Sequence, residues 1–253
     1  SDVYKRQGLF GAVSASTLAA GMAMLDDENI FYEGFIGALY PFMDIAALVT
    51  AIVLAKLSAE RKRSGAVQGG GTMTMGNSSG TSSSHFDWEL VRGILKDTFR
   101  SAAISALVLG IAIGLLGRPE SVYTSFYEPL FRGLLSVLML VMGIEAWSRL
   151  SELRKVAHAY VLYALTAPII HGMIGFGLGL VAHHLTGFSA GGIVLIAVMA
   201  ASSSDISGPP TMRGALPQAN PSAYIGASTG LGTPIAILSI PLFITLADRF
   251  VGF

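Results

Sequence analysis

The chain has 253 residues, of which 52% are hydrophobic and 13% are charged, and its mean hydropathy of +0.62 is typical of polytopic membrane proteins. Its formal net charge is zero, so the charge balance indicates no nucleic-acid partner. The absence of cysteine excludes disulfides and thiolate metal sites, and the five histidines lack the spacing of metal ligands, which argues against a zinc enzyme and against a bound cofactor.

Residues 1–7, SDVYKRQ, are polar and do not lead into the apolar stretch that begins at Gly8. They resemble the translation of a sequencing adapter fused to an open reading frame. We therefore expect residues 1–7 to be an artefact and the sequence to be a fragment whose N-terminal part is missing.

Seven stretches are apolar enough for membrane spans, which need about 20 residues each. They cover residues 8–25, 35–57, 98–117, 130–149, 156–184, 189–212 and 222–250, and the first lacks its beginning. Residues 58–92 turn polar and then low in complexity, which predicts a flexible cytoplasmic linker.

Most Lys and Arg residues fall on one side of these spans. The larger group contains Lys56, Arg61, Lys62, Arg63, Arg92, Lys96, Arg100, Arg149, Arg154, Lys155 and Arg213. The opposite side has Arg118, Arg132 and Arg249 with the acidic loop of Asp26, Asp27, Glu28 and Glu33. The positive-inside rule places the larger group in the cytoplasm and the C-terminus outside.

Polar residues interrupt the sixth stretch at residues 201–210, ASSSDISGPP. In hydrocarbon each unpaired backbone group costs several kcal/mol, and a charge costs about 3 kcal/mol or more. Such a break is tolerated where it lines a cavity and binds something polar. It therefore predicts a transporter.

The chain also contains an internal repeat. FIGA at 35–38 matches YIGA at 224–227 at an offset of 189 residues, which places the hydroxyl-rich residues 14–17 on residues 203–206. Because the two long helices run in opposite directions across the membrane, this is an inverted repeat, with the substrate site expected at the repeat interface. We predict an all-α polytopic membrane protein with two broken helices, a fragment of a 5+5 helix fold: residues 8–57 end the first repeat and residues 93–253 form the second.

Several long stretches resemble the cyanobacterial-type sodium-dependent bicarbonate transporters. They are GLFGAVSAST (8–17), GALYPFMDIAALVTAIV (37–53), RPESVY (118–123), PLFRGLLSVLMLVMGIEAWSRLSELRKVA (129–157), AASSSDISGPPT (200–211) and NPSAYIGAST (220–229). The resemblance implies ten helices in two inverted units, a homotrimer, and sodium/bicarbonate symport across a plasma membrane for inorganic carbon uptake. Cyanobacterial members are inhibited by a PII-like protein that senses adenine nucleotides; the linker here is short and differently composed, which departs from that pattern.

Bicarbonate needs several N–H and O–H donors, and an interrupted helix supplies them at the N-terminal end of its second half. The substrate-binding residues predicted on this ground are Val13, Ser14, Ser16, Thr17, Ser202, Ser203 and Ser204.

Sodium prefers carboxylate, carbonyl and hydroxyl oxygens. The sodium ligands predicted are Asp205, Ser207, Asp44, Thr229 and Thr233. Asp205 could equally cap a half-helix, Asp44 could make a structural hydrogen bond, and the division of residues between anion and sodium stays open.

Other functions fit some of these features. Another inverted-repeat carrier, either a sodium-coupled anion symporter or a cation/proton antiporter, has the same physical build, and the resemblance alone favours bicarbonate. An intramembrane protease could use Asp44 with Asp205 or a serine with His171, but the chain has neither a Gly-x-Gly-Asp nor a Gly-x-Ser-Gly motif. A membrane scaffold would not need the costly polar breaks. We therefore predict a transporter and not an enzyme, and we interpret Gly172, Gly175, Gly177 and Gly179 as helix-packing residues.

Overall fold

The computed structural model describes residues 11–67, 92, 96, 102–118, 120–153, 158–204 and 226–253. Within these ranges the chain is helical and contains no strand, as the composition predicts. The helices are α1 (Ala15–Asp27), α2 (Ile36–Val67), α3 (Ala102–Gly117), α4 (Glu120–Val122), α5 (Glu128–Leu153), α6 (His158–Thr186), α7 (Ala190–Ala201), α8 (Thr233–Leu238) and α9 (Ile240–Phe250). Two π-helical segments, Tyr123–Tyr127 and Gly226–Gly232, precede α5 and α8.

Three helical stretches of the described chain are long and apolar enough to cross a membrane. They are Glu120–Ser148, Val161–Thr186 and Gly226–Phe250. The predicted stretches 130–149, 156–184 and 222–250 correspond to them. The apolar helical parts described for the second, third and sixth predicted stretches are shorter, at Ile36–Ala51, Val108–Gly117 and Ala190–Ala201.

The surface of α3 and α5 is apolar. Large hydrophobic side chains on these helices are exposed, among them Leu115, Leu116, Leu140, Ile144 and Trp147. Water-soluble monomers rarely expose contiguous apolar patches of more than a few hundred Å². The exposed faces of α3 and α5 are therefore suited to hydrocarbon rather than to water.

Helix α7 forms the centre of the described structure. Ten of its twelve residues are buried, and Ile193, Leu195, Val198 and Met199 are inaccessible to solvent. A helix that is hydrophobic all round is stable only when neighbours surround it. Helices α1, α6 and α9 pack against α7 and supply that environment.

Helix α6 approaches α7 closely because glycines line the contact. A Cβ at Gly175 would lie 2.6 Å from the Cβ of Ala200, and one at Gly179 would lie 2.9 Å from the Cγ2 of Ile193. A Cβ at Gly172 would overlap the ring of Phe243. The packing role predicted for these three glycines is confirmed, whereas no atom of the described residues lies within 4 Å of a Cβ at Gly177, so that its packing role stays a prediction.

Helix α2 is longer than the sequence predicts. It continues through Val67, past residue 58 where the linker was predicted to begin. The residues that extend it include Ala59, Glu60, Arg61 and Lys62, which are all good helix formers. The rest of the predicted linker lies outside the described residues, except for Arg92.

Candidate functional site

The first predicted polar break is where α1 begins. Residues 12–14 lie outside any helix, and Ser14 caps α1 with extended backbone angles, φ −95° and ψ 122°. The Ser14 hydroxyl accepts a hydrogen bond from the Thr17 N–H at 3.3 Å and lies 2.7 Å from the Ser16 hydroxyl. Because the first N–H groups of a helix have no partner within the helix, α1 directs donors and a partial positive charge toward this point.

The second predicted break is where α7 ends. Ser202 follows Ala201 with extended backbone angles, φ −71° and ψ 167°. Its N–H donates to the carbonyls of Val198 at 3.0 Å and Met199 at 3.2 Å, and its hydroxyl donates to the Met199 carbonyl at 2.7 Å. The carbonyl end of α7 therefore carries a partial negative charge here.

The two segments that were predicted as breaks are in direct contact. The backbone N–H of Ser14 donates to the Oγ of Ser202 at 2.9 Å, and both residues are buried. Further from the break, a Cβ at Gly21 of α1 would lie 3.1 Å from the side chain of Leu195 and 3.3 Å from that of Val198 in α7. The two helices thus run antiparallel away from a common point, where the N-terminal end of one adjoins the C-terminal end of the other.

A third segment, Gly226–Gly232 with the start of α8, completes the cluster of hydroxyl groups. The Ser203 hydroxyl donates to the Ser228 carbonyl and lies 3.3 Å from the hydroxyl of Thr233. The Ser228 hydroxyl donates in turn to the Ser204 carbonyl at 3.3 Å. Thr233, which was predicted for sodium, therefore adjoins Ser203, which was predicted for the anion. We call this group of residues the hydroxyl cluster: Ser14, Ser16, Thr17, Ser202, Ser203, Ser204, Ser228, Thr229 and Thr233.

Two hydroxyls of the cluster have no hydrogen-bond partner in the described part of the chain. They belong to Thr17, which is 0% exposed, and Thr229, which is 1% exposed. Buried polar atoms in proteins are nearly always hydrogen-bonded, and leaving one unsatisfied costs about 1–3 kcal/mol. A polar ligand within reach of either hydroxyl would satisfy it.

The remaining predicted residues have different outcomes. Val13, next to the cluster, is buried, and so is Asp44 on α2. Asp205 and Ser207 lie outside the described residues. Ser228 was not predicted, although its position beside Thr229 in an apolar stretch was an available signal.

The far end of α7 is held by Glu33, a residue of the acidic loop between α1 and α2. Ser189 caps α7 by accepting from the Gly192 N–H at 2.9 Å. The Glu33 carboxylate accepts from the Ser189 N–H at 2.7 Å and from the Ser189 hydroxyl at 2.8 Å. Serine at 189 signals an N-cap, but nothing local in the sequence indicates a partner 156 residues away.

The loop that carries Glu33 has further polar contacts. The Tyr32 hydroxyl donates to Asp26 at 3.0 Å, and burial together with the Asp26 carboxylate raises the pKa of the Tyr32 phenol well above its usual value. Asp27, at the end of α1, pairs with Arg132 of α5 at 2.6 Å. This end of α1 is therefore connected to α5 and, through Glu33, to α7.

A sequence model of the Na+-dependent bicarbonate transporter superfamily matches residues 2–248, nearly the whole chain. The matched range includes all three segments of the hydroxyl cluster, together with Asp44, Asp205 and Ser207. No curated protein matches the chain.

Proposed function

Because this chain belongs to the Na+-dependent bicarbonate transporter superfamily, we propose that it carries bicarbonate together with sodium into the cell across the plasma membrane. The structural feature that supports this proposal is the hydrogen bond between Ser14 and Ser202, which joins the two polar breaks inside an apolar helical protein. A fold of this kind exposes polar groups at membrane depth only where they face a ligand or a cavity.

The hydroxyl cluster has the chemistry that a small oxyanion and a hard cation require. A hydroxyl donates one hydrogen bond to an anion and offers lone pairs to a cation, so that serine and threonine serve both ions. The hydroxyls of Thr17 and Thr229, which have no partner among the described residues, lie on different segments of the cluster. We propose that the transported ions satisfy them, which offsets the cost of burying them.

The two helix ends at the cluster suggest how the ions divide. The N-terminal end of α1 favours an anion, so we assign bicarbonate to the hydroxyls of Ser14, Ser16 and Thr17 next to Val13, and to the first-turn N–H groups other than those of Ser14 and Thr17, which already donate to Ser202 and Ser14. The C-terminal end of α7 favours a cation. We assign sodium to the oxygens near Ser203, Thr229 and Thr233, a group to which Ser202 and Ser204 contribute. This division departs from the sequence prediction, which gave residues 202–204 to the anion.

The coupling of bicarbonate transport to sodium follows from the opposite charges of the two ions. A lone anion moved into a buried site loses its hydration and has no counter-charge, which is costly in a low-dielectric environment. Sodium in the same cluster offsets that charge, because two opposite charges a few Å apart attract strongly where water is excluded. We therefore propose that neither ion binds well without the other, which is the basis of symport.

Two acids would complete the sodium environment. Asp44 is 2% exposed on α2, and a buried carboxylate within a membrane protein marks an ion pathway more often than a surface feature. Asp205 follows Ser204 directly in the chain. We propose both as sodium ligands, together with Ser207. The homotrimer and the PII-like regulator that the resemblance implies stay predictions.

Reconstitution tests the function directly. The full-length protein in liposomes is given a sodium gradient, and uptake of labelled bicarbonate is compared with uptake of labelled acetate, phosphate and chloride. We expect uptake of bicarbonate that stops when potassium replaces sodium. Sodium-driven uptake of another anion with none of bicarbonate would reject the cargo, and uptake driven by a proton gradient alone would reject sodium coupling.

A further inference from the structure

We propose that Glu33 is a positioning residue for transport: it holds the N-terminal end of α7 so that the other end of the same helix presents Ser202, Ser203 and Ser204 to the ions. This inference rests on the proposed function of the hydroxyl cluster. Glu33 itself contacts Ser189 and not the cluster.

The contact is stronger than a single surface hydrogen bond. Both carboxylate oxygens of Glu33 are used, one by the Ser189 N–H and one by the Ser189 hydroxyl, at 2.7 and 2.8 Å. The acceptor is a carboxylate at a helix N-terminus, where hydrogen bonds to the charged group and the helix dipole both favour it. Ser189 already caps α7 through Gly192, so Glu33 is a second attachment at the same helix end.

The surrounding residues are shaped to admit this loop. A Cβ at Gly192 would overlap the Glu33 carboxylate, and a Cβ at Gly191 would overlap the carbonyl of Phe31. The backbone of the loop therefore lies directly against α7. The ring of Phe35, on the other side of Glu33, contacts that of Phe188 at a centroid distance of 6.2 Å.

The attachment matters to the cluster because α7 is rigid and held at both ends. It has 12 residues and so spans about 18 Å, with buried apolar side chains along its length. One end is held by Glu33, and the other end adjoins Ser14 through Ser202. Since the loop of Glu33 follows α1 and Ser14 precedes α1, both attachments join α7 to the same neighbouring helix. Releasing one of them lets α7 shift along α1 and carries the three serines away from the donors of α1.

Kinetics of uptake by the full-length protein give the first test. Glu33→Ala removes both acceptors, and we expect the KM for bicarbonate to rise about tenfold, as when a partner that orients a ligand is lost, with maximal uptake per inserted transporter changed less than KM. Glu33→Gln keeps one acceptor oxygen, so its KM should lie between those of the wild type and Glu33→Ala. This variant also provides the test if Glu33→Ala fails to insert into the membrane. Glu28→Gln, an exposed acid of the same loop, is the matched control and should keep the wild-type KM.

Disulfide cross-linking between α1 and α7 is a second measurement, and it does not depend on transport. The Cβ of Val198 lies 3.8 Å from the Cβ position at Gly21, which is the spacing of a disulfide, and this sequence contains no cysteine of its own. Gly21→Cys with Val198→Cys should oxidise readily, and more slowly when Glu33→Ala or Glu33→Gln is added. The proposal is overturned if the rate of cross-linking is unchanged in both Glu33 variants. It is also overturned if cross-linking is slower in these variants but their KM for bicarbonate is that of the wild type. If the wild-type protein takes up no bicarbonate, the proposed function fails, while cross-linking still decides whether Glu33 holds α7.

Discussion

The N–H of Ser14 donates to the hydroxyl of Ser202 at 2.9 Å across 188 residues of sequence, and this bond is where the N-terminal end of α1 meets the C-terminal end of α7. Two helix ends of opposite partial charge are thereby placed side by side among buried hydroxyls. We propose that an anion and a cation occupy adjacent sites in this arrangement, as symport of a small salt requires.

Removing the acceptor of this bond should damage both stability and transport. In Ser202→Ala the buried Ser14 N–H loses its partner, which costs about 1–3 kcal/mol, and the end of α1 is no longer tied to α7. We expect a lower midpoint of thermal unfolding in detergent and a loss of most sodium-driven uptake. Ser136→Ala is the control, since that exposed hydroxyl bonds only to the Arg132 carbonyl of its own helix. Wild-type uptake by Ser202→Ala would show that the bond is dispensable.

Removing the Thr229 hydroxyl, unlike removing the Ser202 hydroxyl, should not destabilise the protein when no ligand is present. Its hydroxyl has no partner among the described residues, so Thr229→Val removes an unsatisfied group and should leave the unliganded protein as stable as before, or more stable. Sodium bicarbonate at about 100 times its Kd should stabilise the wild type by about 2.7 kcal/mol, and this gain should largely vanish in the variant. The control Thr245→Val removes an exposed hydroxyl that donates to the Pro241 carbonyl, and it should retain the stabilisation by sodium bicarbonate. A full ligand-induced shift in Thr229→Val would remove Thr229 from the site.

The sequence alone predicts the parts of this structure that depend on local pattern. Apolar stretches of sufficient length locate the long helices. The hydroxyl-rich residues 14–17 and 202–204 also stand out in the sequence, and Ser14 and Ser202 are in contact, whereas the inverted repeat itself stays a prediction. The Glu33–Ser189 contact and the entry of Ser228 into the cluster depend on how distant segments pack, which no local pattern encodes. The extension of α2 to Val67 differs from the predicted linker for another reason: the residues are polar, which is typical of a linker, but they also have high helix propensity.

Two glycines of the same helix allow a matched test of the packing. A Cβ at Gly175 would meet the Cβ of Ala200 at 2.6 Å and the carbonyl of Ile196 at 3.0 Å, so Gly175→Ala should destabilise the protein by about 1–3 kcal/mol through overpacking. A Cβ at Gly177 would meet no atom of the described residues within 4 Å, and Gly177→Ala should be neutral or stabilise by up to about 1 kcal/mol through helix propensity. Thermal unfolding in detergent measures both. Equal midpoints for the two variants would contradict the close contact of α6 with α7.

The two acids are expected to act on sodium. Asp205→Asn should abolish sodium-driven bicarbonate uptake, because it removes the carboxylate that follows the cluster directly. Asp44→Asn should raise the sodium concentration needed for half-maximal uptake by about tenfold, which corresponds to about 1.4 kcal/mol. Asp248→Asn, at an exposed position on α9, serves as the control. An unchanged sodium dependence in either variant would exclude that acid as a ligand.

Equilibrium binding of labelled bicarbonate to the purified full-length protein, in sodium and in potassium, tests most directly whether the hydroxyl cluster binds the transported salt. The double variant Ser203→Ala/Thr233→Val removes both hydroxyls of one 3.3 Å pair. Because the Ser228 carbonyl also loses the Ser203 donor, thermal unfolding in detergent first checks that the variant is folded. We predict that the wild-type protein binds bicarbonate in sodium and not in potassium. In Ser203→Ala/Thr233→Val the affinity should fall at least tenfold, whereas the exposed-site control Ser136→Ala/Thr245→Val should keep the wild-type affinity. Wild-type affinity in Ser203→Ala/Thr233→Val would contradict the assignment of the site to this cluster.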